Sequence, residues 1–230
     1  MLAFLSDPMN PGLWLANADG TDLRRVPTDS YGIPVWSPDG SWLAFAVDNG
    51  QGQVVIDAVR PDGSGRRTLV SGVSDISLST TISWSRAGRI AFKRRTHLDY
   101  GTGNIWSVKA DGTSLMQMTT GVRDEWPVWS PDGSLLAFTS LGPPMPAGAE
   151  VVVVNADASG RRAVVAGTVN TINRVAAWSP DGRWLLFERL ETPFVGAPSC
   201  DFFTVAIDGT WGERVSHELY SNQCGGASWR

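Results

Sequence analysis

Apolar positions along this chain fall in short runs, and each run is stopped by a cluster of Gly, Pro, Asp, Ser or Asn. "PVW" (34–36) and "LAFAV" (43–47) stand on either side of "SPDG", and "VVIDAV" (54–59) and "TLV" (68–70) stand on either side of "RPDGSG". Short β-branched and aromatic runs bounded by turn residues predict strands, and helix signals are scarce. The turn chemistry is specific. Pro38 presets φ at the first turn position, Asp39 favours the turn through its side-chain acceptor, and Gly40 accepts the positive φ that follows. The pattern therefore predicts antiparallel hairpins.

The hairpins repeat. "PVWSPDGSWLAF" (34–45) returns as "PVWSPDGSLLAF" (127–138) and "AAWSPDGRWLLF" (176–187), with a degenerate copy, "ISWSRAGRIAF" (82–92), in which Arg86 and Ala87 replace Pro and Asp. The chain opens on "MLAF", the second half of the phrase, and ends on "ASWR", its first half. The marker tryptophans Trp36, Trp84, Trp129, Trp178 and Trp229 are separated by 48, 45, 49 and 51 residues. Between them lies a second family of hairpins bending at Gly20, Gly63, Gly112, Gly160 and Gly209. A period of this length, with four strands per period, is expected of a β-propeller.

The predicted fold is all-β: a five-bladed β-propeller of four-stranded antiparallel blades in a single domain spanning 1–230. Blade 1 takes residues 1–31 plus 226–230, blade 2 takes 32–79, blade 3 takes 80–124, blade 4 takes 125–173 and blade 5 takes 174–225. The phrase aromatics, including Phe4, Phe45, Phe92, Phe138 and Phe187, are expected to fill the space between neighbouring sheets. The two half-phrases are complementary, so the C-terminal strand is expected to pair with the N-terminal strands and leave no open edge. The alternative is an arc of a longer propeller.

Composition narrows the function. A chain of 230 residues with 42% hydrophobic content can bury a substantial core. The net charge of −4 gives a nucleic-acid partner no bulk electrostatic support. No apolar stretch is long enough for a membrane span, and the N-terminus lacks the regions of a signal peptide. The two cysteines, Cys200 and Cys224, fall in loops expected on the same face of the last blade and form a candidate disulfide. If formed, that bond implies an oxidising compartment.

"WSPDG" followed by "LAF" and a later "ADG" turn resembles the TolB-like, WD-repeat-like β-propeller repeat, with full matches at 36–45, 129–138 and 178–187. The resemblance implies the propeller fold, and a periplasmic or extracellular setting. It implies a range of roles, because such propellers serve as protein-binding modules, lectins, gating domains of serine peptidases and enzymes.

Candidate function lies on the face opposite the stereotyped turns, where connecting loops differ in length and chemistry. Arg94, Arg95, His97, Asp99 and Tyr100 form a mixed-charge loop cluster suited to an acidic or hydroxyl-rich partner. Arg123, Asp124, Glu125 and Trp126, with Asn173 and Arg174, enter innermost strands and are expected at the channel mouth. Pairing of Arg123 or Arg174 with Asp124 or Glu125 is the competing, purely internal use of these charges. Tyr220 and Asn222 complete the candidate partner-binding set.

No GxSxG, HExxH, Walker or CxxC motif is present, and His97 and His217 lie far apart in sequence. The expectation is a non-catalytic, monomeric module binding a protein or peptide, without metal, cofactor, nucleic acid or membrane insertion. A glycan-binding propeller is the alternative. A glycoside hydrolase built on carboxylates from Asp29, Asp75, Asp99, Asp124, Glu125, Glu191 and Glu218 comes after it.

Overall fold

The computed structural model describes residues 1–5, 12–26, 33–51, 53–71, 81–95, 102–142, 148–191 and 199–216. All regular structure in these residues is strand. The first repeat unit holds β1 (Leu2–Leu5), β2 (Leu13–Ala16) and β3 (Arg24–Val26). The second holds β4 (Val35–Trp36), β5 (Leu43–Asp48), β6 (Val54–Val59) and β7 (Arg67–Val70). The third holds β8 (Ile82–Trp84), β9 (Arg89–Arg94), β10 (Asn104–Lys109) and β11 (Met116–Gln117). The fourth holds β12 (Arg123–Trp129), β13 (Leu135–Leu141), β14 (Ala149–Asn155) and β15 (Arg162–Val165). The fifth holds β16 (Thr171–Trp178), β17 (Trp184–Glu191), β18 (Ser199–Ala206) and β19 (Trp211–Arg214).

Strands pair antiparallel in chain order within each unit, as the hairpin chemistry predicts. The fourth and fifth units join one eight-stranded sheet through a single parallel pairing of Ala149 with Ile172.

The phrase builds its own turn. Ser37 N–H donates to Trp42 O at 2.9 Å, Gly40 N–H donates to Ser37 O at 2.8 Å, and the Ser37 hydroxyl accepts from Trp42 N–H while donating to Asp39. Gly40 sits at φ +71°, a conformation that glycine reaches without steric cost. Ser130 with Asp132, and Ser179 with Asp181, repeat this arrangement. In the degenerate copy Ser85 N–H already closes on Arg89 O, so that turn is one residue shorter.

"LAF" explains how units stack. Because side chains alternate along a strand, Leu43, Phe45 and Val47 of β5 pack toward Leu13 and Leu15 of the first unit, and Ala44 and Ala46 pack toward Phe92 of the third. Ala91 meets Phe138 in the same way, and Ala137 meets Phe187. Each alanine leaves room for the phenylalanine of the following unit. Phe45, Phe92, Phe138 and Phe187 are all 0% exposed.

A second tie recurs at the rim, where an arginine near the start of the outermost strand reaches a turn carbonyl of the next unit. Arg24 donates to Pro61 O at 2.8 Å, Arg67 to Ala110 O at 3.0 Å and Arg162 to Ile207 O at 3.1 Å.

The first unit departs from expectation. Phe4 is 40% exposed, and among the described residues β1 is an edge strand, so this phenylalanine does not fill an inter-sheet space as its four counterparts do. Trp229 and residues 226–230, on which the expected ring closure rests, lie outside the described residues.

Candidate functional site

The face opposite the "SPDG" turns carries a line of alternating charges across the third, fourth and fifth units. At the end of β9, Lys93 donates to Glu125 Oε1 at 2.6 Å, and Arg123, two residues before Glu125 on the same face of β12, donates to that oxygen at 3.0 Å. Burial pushes the Glu125 carboxyl up, but the hydrogen bonds and charges of Lys93 and Arg123 outweigh it and hold the group below its ordinary range. Next along the line, Trp126 lies under the Arg174 guanidinium at 5.4 Å, and Arg174 pairs with Glu188, its cross-strand neighbour on β17.

Trp126 is strained. Of the five described non-glycine residues with positive φ, it alone lies within a strand, at φ +52°. It sits where the pairing register of β12 with β13 shifts, between Glu125 and Val128. A bulky residue in the left-handed region is uncommon, and bulges of this kind re-aim side chains next to binding sites.

The sequence-selected residues divide into three groups. Arg123, Glu125, Trp126 and Arg174 are brought together as described. Arg94 lies apart from that line, its guanidinium 4.4 Å over the Trp106 ring, and Arg95 follows at the end of the strand, half-buried. Asp124 and Asn173 are inside the molecule, each 0% exposed, which corrects their placement at an open mouth. Asp124 alternates to the opposite side of β12 from Arg123 and Glu125, and its Oδ2 accepts from Gly121 N–H at 3.1 Å. Asn173 donates to Ala149 O at 2.8 Å and to Ala166 O at 3.3 Å, and its Oδ1 accepts from Arg189 at 2.9 Å. With donors and acceptor all used, it pins the fourth unit to the fifth. His97, Asp99, Tyr100, Tyr220, Asn222 and Cys224 lie outside the described residues.

Cys200 is disulfide-bonded. Its sulfur therefore carries no proton, and the 3.1 Å approach of Sγ to Glu188 Oε1 is a packing contact. Sequence reasoning missed Lys93 and Glu188. Counting the strand register back from the "SPDG" turn would have found Glu188, because it stands directly across from Arg174. Lys93 leaves no such signal, since it reaches Glu125 from another unit.

No family model matches the chain. Over 145 residues it is 28% identical to the uncharacterized peptidase YuxL of Bacillus subtilis, covering 60% of this chain and 20% of that protein. Over 192 residues it is 22% identical to the uncharacterized protein Atu1656 of Agrobacterium fabrum, covering 84% of this chain and 60% of that protein. The chain thus spans less than two thirds of either relative. Among solved structures, one described as TolB from Agrobacterium tumefaciens superposes with a TM-score of 0.70 at 18% identity, over 91% of this chain and 74% of the other. Oligogalacturonate lyase from Vibrio parahaemolyticus gives 0.70 at 14% identity, over 95% and 62%. An acylaminoacyl peptidase gives 0.58 at 11%, over 89% and 34%.

These relatives correct the expectation of a non-catalytic chain. A named peptidase is among the sequence relatives, and a lyase and peptidases are among the structural ones. Missing contiguous motifs exclude only chemistries written as such motifs, whereas residues assembled from several repeat units leave no local signature. At the level of architecture, the chain has the fold of the TolB-like β-propeller proteins.

Proposed function

We propose that this propeller recognises a protein or peptide through the face that carries Lys93, Arg123, Glu125, Trp126 and Arg174. The observation that carries the reading is the strained, positive-φ Trp126, set between the Lys93–Glu125–Arg123 cluster and the Arg174–Glu188 pair. Strain concentrates where surrounding structure holds a side chain for use, and tryptophan and arginine are enriched at binding hot spots. Alternating charges along a line favour an extended segment with both signs over a uniformly charged ligand.

Relatives named as peptidases support a chain that takes peptide. The finer architecture belongs to the same proposal: five units bounded as the repeat predicts, the ring closed by residues 226–230 beside β1, and Cys200 bonded to Cys224. An exported, oxidising compartment follows from that disulfide.

Affinity selection of heptapeptides from a random library, followed by calorimetry, tests the reading. Selected peptides are expected to lose at least about tenfold in affinity to Arg123→Glu, which reverses one exposed charge of the line. Equal affinity for that variant, or no selected peptide, would overturn it. Mass spectrometry of the peptides after incubation shows whether the same chain also cleaves them.

A further inference from the structure

The opposite face, where the "SPDG" turns cluster, holds two cavities that share one residue. A cavity of about 410 Å³ at the seam of the second and third units is walled by Trp42, Trp84, Arg67, Arg86 and Asp39. A second, of about 290 Å³, lies between Arg86 and the Pro131–Asp132 and Pro180–Asp181 turns. Arg86 belongs to the degenerate turn, which lacks one residue and has lost its proline and aspartate. Less turn remains to fill the seams, and a cation stands where the other copies have a proline.

Arg86 is exposed, and among the described residues its guanidinium takes part in no hydrogen bond, ion pair or ring contact. Arg67 is already engaged, donating to Ala110 O at 3.0 Å and lying 4.1 Å over the Trp42 ring. Asp39 brings a negative charge to the same wall, but the Ser37 and Ser41 hydroxyls and the Ser41 N–H occupy its oxygens. Arg86 is therefore the wall's uncommitted group, and it is a forked donor suited to a carboxylate.

We propose that this seam is a second binding site, for a carboxylate-bearing peptide segment, with Arg86 taking the carboxylate and the Trp42 and Trp84 walls receiving the adjoining apolar side chain. A peptide fits better than a sugar acid because Arg60 and Arg67 already stack on the Trp42 ring, at 4.8 and 4.1 Å, and compete for the ring face on which a sugar would stack. The volume lies in the range of sites that enclose a side chain and its neighbours. The site is on the other face of the molecule from the recognition surface proposed above.

The test is fluorescence anisotropy with a fluorescein-labelled hexapeptide of alternating Glu and Leu, and an alternating Lys and Leu peptide as control. The acidic peptide is expected to bind and the basic one not. Arg86→Ala should weaken binding about tenfold, as expected for loss of a charge-assisted contact, and leave the thermal midpoint unchanged because Arg86 makes no bond among the described residues. Arg183→Ala removes the same charge from a side chain that lines neither cavity and should change affinity by less than about twofold. Absence of acidic-peptide binding, or equal losses in the two variants, would overturn the site. Glucuronic acid displacing the peptide as well as unlabelled peptide does would overturn the peptide assignment.

Discussion

The smallest repeated device in this molecule is an aspartate that accepts from the Ser or Thr two positions on, or from the Ser two positions before. Asp19, Asp62, Asp111, Asp157 and Asp208 do this in one family of turns, and Asp39, Asp132 and Asp181 in the other. The serine or threonine hydroxyls and turn N–H groups hold all eight carboxyls below the ordinary aspartate range, with Asp39 lowered to about 2, chiefly by Ser37 and then Ser41. A carboxyl whose folded pKa is depressed adds stability that is complete above its unfolded value, near 4, and is lost as pH falls toward the folded value. Urea midpoints are therefore expected to hold between pH 6 and 5 and to fall from about pH 4 toward about pH 2. Ser37→Ala should raise the Asp39 carboxyl toward its ordinary range, read by carbon NMR titration. These turns were legible residue by residue in "SPDG" and "ADGT", because a turn is decided by φ and by bonds between neighbours in sequence.

Stacking belongs to the scale of elements. Phe138 is 0% exposed against Ala91 of the preceding unit, whereas Phe4 on β1 is 40% exposed. Phe138→Ala should cost about 3–5 kcal/mol through lost burial and the cavity left behind, and Phe4→Ala about 1 kcal/mol or less. Chemical denaturation of both variants checks the contrast, and equal losses would mean that Phe4 is covered in solution. The rim arginines add smaller ties. Arg67→Ala should cost about 1 kcal/mol, the usual net worth of such a bond, measured in the same experiment. The strand spans were readable from the apolar runs. The register shift that places Trp126 at positive φ was not, because a bulge depends on what the neighbouring strand and unit require.

For the whole molecule, the question is how the end units are held. Cys200 is buried and disulfide-bonded beside the Arg174–Glu188 pair. Under the proposed pairing with Cys224, the bond closes a loop of roughly 25 residues and should contribute about 3 kcal/mol. Reduction without denaturant should then lower the thermal midpoint by several degrees, and an unchanged midpoint would count against a structural role.

The repeat, the hairpins and the propeller-type stacking of "LAF" strands are legible in the chain's residues, because these follow from a two-residue period and from turn chemistry between adjacent residues. The sequence also marked Arg123, Glu125, Trp126 and Arg174 as residues that would meet at one face. Which charges are spoken for depends on the assembled sheets. Asn173 and Asp124 turned inward, Glu125 was shared by Lys93 and Arg123 from different units, and Arg86 was left without a partner among the described residues at an opened seam. Such pairings join residues of different strands and units, so they depend on the register and packing of the assembled sheets, which no local stretch of sequence encodes.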